Sequence, residues 1–226
     1  MTRSPLKPAR HRPAALDRAT VRGAAIATTA TLAIALIGTT LSGCGRSPPT
    51  RYVTLHAEPA DTPLSTAHVT PVQLTAVHIP AELDRPQVVT QLSPNQLAVD
   101  ETDRWGAPLA QMVRRTLAQD LMTRLPAGSV ILPDAPAPPG TRTLVVTVLD
   151  SEADASGTMT LQAAWSVLTG DPPRETLTQQ ATLSSAMTNR DAPAQAAALS
   201  HILGQLADRI ATSLVARKPA SCACIR

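Results

Sequence analysis

Residues 107–125 read APLAQMVRRTLAQDLMTRL. Apolar side chains recur in this segment every four positions, at Leu109, Val113, Leu117, Leu121 and Leu125. Charged side chains fall on the other faces, and Pro108 suits the first turn of a helix because the missing N–H has no helical partner there. The segment predicts an amphipathic helix that buries one face.

The chain after this helix predicts three strands and a second helix. Residues 126–140 contain five prolines and are expected to connect. The uninterrupted apolar run LVVTVL at 144–149 favours a central strand, residues 142–150, covered on both faces. Alternating residues 158–168 and polar residues 175–185 predict two more strands around a turn at 170–173. The closing helix, 193–216, has an apolar stripe at Ala198, Ile202, Leu206, Ile210 and Leu214.

The chain before the first helix predicts strands as well. Residues 51–55 and 72–79 suit strands, 58–69 a loop and 81–86 a turn, while 87–92 and 96–99 suit a hairpin. The order of elements indicates a single α+β domain over residues 51–217. We expect a mixed, mostly antiparallel sheet with two main helices packed on one face. Residues 218–226 are expected to form a flexible C-terminal tail.

The N-terminus carries a lipoprotein signal. Leu41-Ser42-Gly43-Cys44 is a lipobox, and it follows a basic segment and the uncharged stretch Ala24–Ile37. We expect a signal peptide over residues 1–43, cleavage between Gly43 and Cys44, and a covalent acyl and diacylglycerol lipid (palmitate) on Cys44. The alternative is an uncleaved amphipathic anchor. A later start, for example at Val21, would leave the mature chain unchanged.

A short tether separates the lipid from the domain. Residues 44–50 are polar and proline-rich, and they extend to about 20 Å. The mature chain has fourteen Lys and Arg against sixteen Asp and Glu, and its aromatic residues are Tyr52, Trp105 and Trp165. Nucleic-acid binding requires a cationic face and usually aromatic stacking, so we expect none.

No catalytic or metal-binding motif is evident in the sequence. The histidines are scattered, and His201 is expected to be a partly exposed helix residue. The acidic run Asp100–Asp103 is expected to precede a helix and to cap it or be solvated. Cys222 and Cys224 are compatible with a redox pair, a soft metal site or incidental thiols in a frayed tail, and the tail is the favoured interpretation. We therefore expect no metal, no enzyme and no cofactor apart from the lipid on Cys44.

Three stretches resemble a known family. Tyr52-Val53-Thr54-Leu55 follows the lipobox, Pro80–Val89 reads PAELDRPQVV, and Glu101–Leu109 reads ETDRWGAPL. In this order and spacing they are similar to the PqiC/YmbA-type auxiliary lipoproteins of ABC-type transport systems. The residues that carry the resemblance, and that are candidates for partner docking, are Tyr52, Leu55, Pro80, Leu83, Asp84, Arg85, Pro86, Arg104, Trp105, Pro108 and Leu109.

The resemblance implies a partner protein instead of a substrate. It implies docking to an MCE-domain protein and its membrane permease, and anchoring at the periplasmic face of the outer membrane, in a system that moves phospholipid or another hydrophobic molecule between membranes. Self-association is left open. The motif residues serve either as a docking surface or as a brace between hairpin and helix. Other functions considered are a lipid-binding module, which requires an apolar cavity, and an envelope hydrolase, which requires a nucleophile–base pair in a cleft.

Overall fold

The computed structural model describes residues 48–216, apart from 61, 65–68, 94 and 155. The predicted signal peptide, the lipobox and the Cys222–Cys224 pair lie outside the described residues. The elements in chain order are β1 (Arg51–Val53), β2 (Val72–His78), β3 (Gln87–Ser93), β4 (Gln96–Trp105), α1 (Leu109–Arg124), β5 (Val130–Ile131), β6 (Arg142–Ala153), β7 (Thr158–Thr169), β8 (Arg174–Ala186) and α2 (Ala192–Ala216). The predicted α+β class with two main helices is confirmed.

The strands form two sheets where the sequence predicted one. A five-stranded sheet has the order β5-β2-β6-β7-β8, and a three-stranded sheet has the order β1-β4-β3. The division arises because β4 continues to Trp105 instead of ending at Val99, which gives β1 a parallel partner within the hairpin sheet. The short β5, inside the predicted connector, extends the larger sheet by pairing with β2.

Helix α1 and helix α2 contribute the apolar stripes that the spacing predicted. The ten stripe residues of the two helices are all buried, with Leu117, Leu121, Ile202, Leu206 and Ile210 fully so. On the sheet, Trp165 of β7 faces α2 and donates its indole N–H to Ser213 Oγ at 3.2 Å. No helix within the described residues combines the length and apolarity needed to span a bilayer.

Strand β6 is central but is covered on one face only. Leu144, Val146 and Val148 are at most 5% exposed, whereas Leu149 is 49% exposed. The prediction of a strand buried on both faces is therefore wrong. The buried positions alternate with exposed ones, as in a sheet that has its core on a single side.

The acidic run Asp100–Asp103 lies within β4, so the predicted helix cap is wrong. Pro108 stands at the start of α1, and that helix has no acidic residue in its first turn. Asp100 Oδ1 instead accepts the backbone N–H groups of Thr102 and Asp103 at 2.7 and 2.9 Å. These N–H groups, together with the Thr102 hydroxyl, lower the pKa of Asp100.

Candidate functional site

An open groove brings together residues from two of the three resembling stretches. It is lined by Asp84, Arg85 and Pro86 from the turn after β2, by Trp105 at the end of β4, and by Ala107 and Pro108 before α1. Its volume is about 370 Å³. Residues about twenty positions apart in the sequence thus form one surface, which we call the motif groove.

Backbone hydrogen bonds fix the walls of the motif groove. Pro80 O accepts the N–H groups of Leu83 and Asp84 at 3.0 and 3.1 Å, which closes the turn. Trp105 N–H then donates to Pro86 O at 2.8 Å, so the turn is joined directly to the end of β4. The groove therefore has a rigid frame built from main-chain contacts.

The third resembling stretch, Tyr52–Leu55, contacts the motif groove at Gly106, the residue after Trp105. Gly106 N–H donates to Val53 O at 2.8 Å, at the end of β1. A Cβ on Gly106 would lie 3.0 Å from Thr54 Cγ2 and 3.4 Å from Val53 O. The close approach of the two backbones thus explains why glycine follows Trp105 here. Sequence reasoning did not single out this contact.

The motif residues divide into buried and exposed sets. Leu55, Trp105 and Leu109 are 5, 8 and 7% exposed and belong to the core. Pro80 and Leu83 are half-buried. Asp84, Arg85, Pro86 and Pro108 are exposed, and so is Tyr52, at the end of the sheet beside Arg104. The bracing role suits the first set, and a docking role is open only to the exposed residues.

The side chains of the turn are not paired with each other. Among the described residues, neither the Asp84 carboxylate nor the Arg85 guanidinium has a hydrogen-bond or ion-pair partner. Arg104 does not pack on Trp105, because adjacent residues of a strand point to opposite faces. The Nε of Arg104 is buried without a hydrogen bond.

An ion pair that the sequence analysis did not predict fastens β1 to β4. Arg51 Nε and Nη2 donate to the two carboxylate oxygens of Asp103 at 2.6 and 2.7 Å. The residues are directly opposite each other in the parallel register, and Asp103 is 1% exposed. These bonds and the Asp103 charge raise the pKa of Arg51. Only the parallel pairing reveals this contact, and no local pattern signals a pairing over such a separation.

A second groove, of about 410 Å³, runs beside α1. Arg114 lies in it and makes two hydrogen bonds to the Asp134 carboxylate, at 3.1 and 2.7 Å. The groove beside α1 shares Ala107 with the motif groove but contains none of the exposed motif side chains.

Two small crevices lie between the sheets and the helices. They measure about 30 and 20 Å³, and Leu83, Leu109 and Leu199 line both. His201 is exposed on α2, as predicted, with its Nδ1 2.8 Å from Glu58 Oε2. Within residues 48–216, gaps excepted, no three His, Cys, Asp or Glu side chains are grouped as metal ligands would be.

Comparison with protein families gives a match over most of the domain. The model of a family described as "ABC-type transport auxiliary lipoprotein component" matches residues 53–211. No curated protein matches the sequence.

Two crystal structures have a similar fold. An uncharacterized protein is 20% identical, with a TM-score of 0.61, over 74% of this chain and 99% of that one. Protein XCC0632 from Xanthomonas campestris, of family-model DUF330, is 17% identical, with a TM-score of 0.57, over 74% and 95% of the two chains.

Proposed function

The chain belongs to the family of ABC-type transport auxiliary lipoprotein components, and we propose that it serves as a non-catalytic docking component of an MCE-type system. In this proposal the lipid on Cys44 anchors the domain at the periplasmic face of the outer membrane. The motif groove binds the MCE-domain protein, whose permease lies in the inner membrane. The cargo is phospholipid or another hydrophobic molecule.

The motif groove is the observation that carries this proposal. Asp84 and Arg85 are exposed and their side chains are unpaired among the described residues, while their backbone N–H groups donate to Pro80 O and Leu83 O, and the next residue, Pro86, accepts the N–H of Trp105. Because the backbone that carries these unpaired side chains is already ordered, little conformational entropy is lost when a partner binds. An exposed arginine beside proline and a buried indole is also typical of a residue that dominates an interface.

The size of the internal crevices favours docking over the lipid-binding module. A pocket for a small apolar ligand generally measures about 300 Å³ or more. The two crevices between sheets and helices measure about 30 and 20 Å³, which is too little for an acyl chain. The larger grooves are open to solvent and lie outside the core.

The lipobox supports the anchoring half of the proposal. Each buried CH₂ of an acyl chain contributes about 0.8 kcal/mol, so two or more chains hold a protein on a membrane for long times. Gly45 follows the lipidated position where an aspartate would favour retention in the inner membrane. Transfer to the outer membrane is consistent with that residue.

Binding between the soluble domain and the MCE-domain protein encoded beside it tests the docking role. We would express residues 46–226 and measure saturable binding by calorimetry. Arg85→Ala should weaken binding at least tenfold, because the variant cannot make the charged hydrogen bond that the proposed complex would bury between Arg85 and the partner. Arg209→Ala, at another exposed arginine, on α2, is the matched control and should bind like the wild type.

Trp105→Ala is a poor test of docking, because Trp105 is 8% exposed and its loss would disturb the core. Equal binding by the Arg85→Ala and wild-type domains would contradict the motif groove as the docking surface. Absence of binding, together with phospholipid that co-purifies with the domain, would favour the lipid-binding module instead.

A further inference from the structure

We infer that the tip of the β3–β4 hairpin contacts the surface of the membrane that holds the lipid anchor. We define the hairpin tip as Ser93, Asn95, Gln96 and Leu97. This inference rests on the proposed attachment of lipid at Cys44. It adds a second contact with the membrane, made by the folded domain itself.

The hairpin projects from the domain. At its base, Val88, Asp103 and Trp105 are buried, and Gln195 of α2 donates to Thr90 Oγ1 at 2.6 Å. Exposure then increases along β4 towards the turn, where Gln96 is exposed and Leu97 is 43% exposed. The base is therefore braced against α2, and the tip extends away from the core.

The chain enters β1 from the side of the hairpin tip. Strand β1 is parallel to β4, with Arg51 opposite Asp103. The direction from Arg51 back towards the N-terminus is therefore the direction from Asp103 back towards Gln96. The residues just before β1 therefore approach it alongside the hairpin, from the direction of the tip.

The length of the tether sets how far away the membrane can be. Cys44 lies seven positions before Arg51, and Gln96 lies seven positions before Asp103. At about 3.3 Å per extended residue, both spans reach roughly 23 Å. A fully extended tether along the hairpin brings the lipidated residue only level with the tip. A shorter path in the same direction would bring the tip into the headgroups.

The chemistry of the hairpin suits a lipid surface. Residues 86–99 contain no charged side chain, so neither anionic headgroups nor desolvation of a charge opposes the contact. Leu97 presents an apolar side chain at the point nearest the membrane. Exposed leucines are individually common, but this one lies at the hairpin tip, on the side from which the chain enters β1.

Fluorescence of the lipidated full chain in vesicles tests the inference. A dye sensitive to polarity would be attached at Asn95→Cys, with Cys222→Ser and Cys224→Ser removing the other thiols. The vesicles would contain phosphatidylethanolamine, phosphatidylglycerol and a spin-labelled lipid that quenches on contact. The matched control places the dye at Leu132→Cys, since Leu132 is 50% exposed and lies beside α1.

We expect a blue shift and quenching of the dye at position 95 and neither effect at position 132. Adding Leu97→Asp should reduce both effects at position 95. A dye at 95 that stays as hydrated and unquenched as the one at 132 overturns the inference. So does a shift that appears only when the MCE-domain protein or a second copy of the chain is added.

Flotation of the same vesicles separates this inference from the proposed function. Protein that floats with the vesicles while its dye at position 95 remains in water contradicts the hairpin contact alone. Protein that fails to float contradicts the lipid anchor, and the hairpin contact is overturned with it.

Discussion

Arg124 of α1 joins α2 through Asp208: its Nε donates to Asp208 Oδ1 at 2.7 Å. The guanidinium is itself 5% exposed and also donates to the carbonyl oxygens of Glu58 and Asp120, at 2.8 and 3.1 Å. One buried cation thus links both helices to the segment that follows β1. The contact between the two helices therefore includes a buried, hydrogen-bonded cation.

Replacement of Arg124 by methionine should destabilise the domain strongly. The apolar stem is kept, but the buried carboxylate of Asp120, 3.8 Å from the guanidinium, loses its nearby cation. We expect a loss of about 3 kcal/mol in the free energy of unfolding, measured by urea denaturation, as when one partner of a buried pair is removed. Arg115→Met, at an exposed position of the same helix, should cost less than about 0.5 kcal/mol. Similar losses in the two variants would contradict the structural role of Arg124.

Asp120 should make the domain less stable as the pH rises from about 4 to 6. The side chain is 0% exposed, and burial raises its pKa from 3.8 to about 6, although the N–H of Glu58 and the charge of Arg124 oppose the shift. Below pH 3.8 Asp120 is protonated in both states, so its contribution to stability is complete. Between the two values the unfolded chain ionises first, and the free energy of unfolding falls until the folded pKa is passed.

Asp120→Asn should remove this pH-dependent decrease in the free energy of unfolding. The amide oxygen can still accept the N–H of Glu58, which lies 2.6 Å from Asp120 Oδ1. The shift from 3.8 to about 6 corresponds to at most about 3 kcal/mol, so the variant should gain stability relative to the wild type above pH 6. Urea denaturation of both proteins across this pH range measures the difference. Parallel pH profiles would show that Asp120 is not the responsible group.

Alanine at Gly106 should strain the junction of the three motif stretches. The new Cβ would lie 3.0 Å from Thr54 Cγ2, so the Thr54 side chain must move by a few tenths of an ångström to accommodate it. We expect Gly106→Ala to cost about 1 kcal/mol. Thr54→Ser removes the opposing methyl group, and the double variant should recover most of that loss in a double-mutant cycle. Purely additive effects would contradict a direct contact.

The sequence predicted the helices well because their stabilising pattern is local. The four-residue spacing of Leu109 to Leu125 and of Ala198 to Leu214 corresponds to one buried face in each case. The predicted hairpin is also present, since its two strands are adjacent in the chain. Such patterns depend on neighbouring residues and can be recognised without knowing the rest of the fold.

The division into two sheets and the interior of the site could not be predicted in the same way. β1 pairs with the end of β4, and Arg51 meets Asp103 across fifty-two positions, so the contact depends on topology. The apolar run at 144–149 is compatible with burial on one face or two, and only the placement of both helices decides. For the motif, the residue types and their spacing indicated the family. The exposure of Arg85 and the burial of Trp105 could be determined only from the three-dimensional structure.

Cys44→Ser should separate folding from anchoring. The buried core extends from Val53 to Leu214, so loss of the proposed lipidation site should leave the melting temperature of the domain unchanged. Without the thiol no lipid can be attached, and we expect the variant to retain its signal peptide and to be absent from the outer-membrane fraction. Mass spectrometry and membrane fractionation measure the two effects. Cys222→Ser is the matched control and should be processed and located normally, because the lipobox is intact. A Cys44→Ser protein that still fractionates with the outer membrane would contradict the lipid anchor.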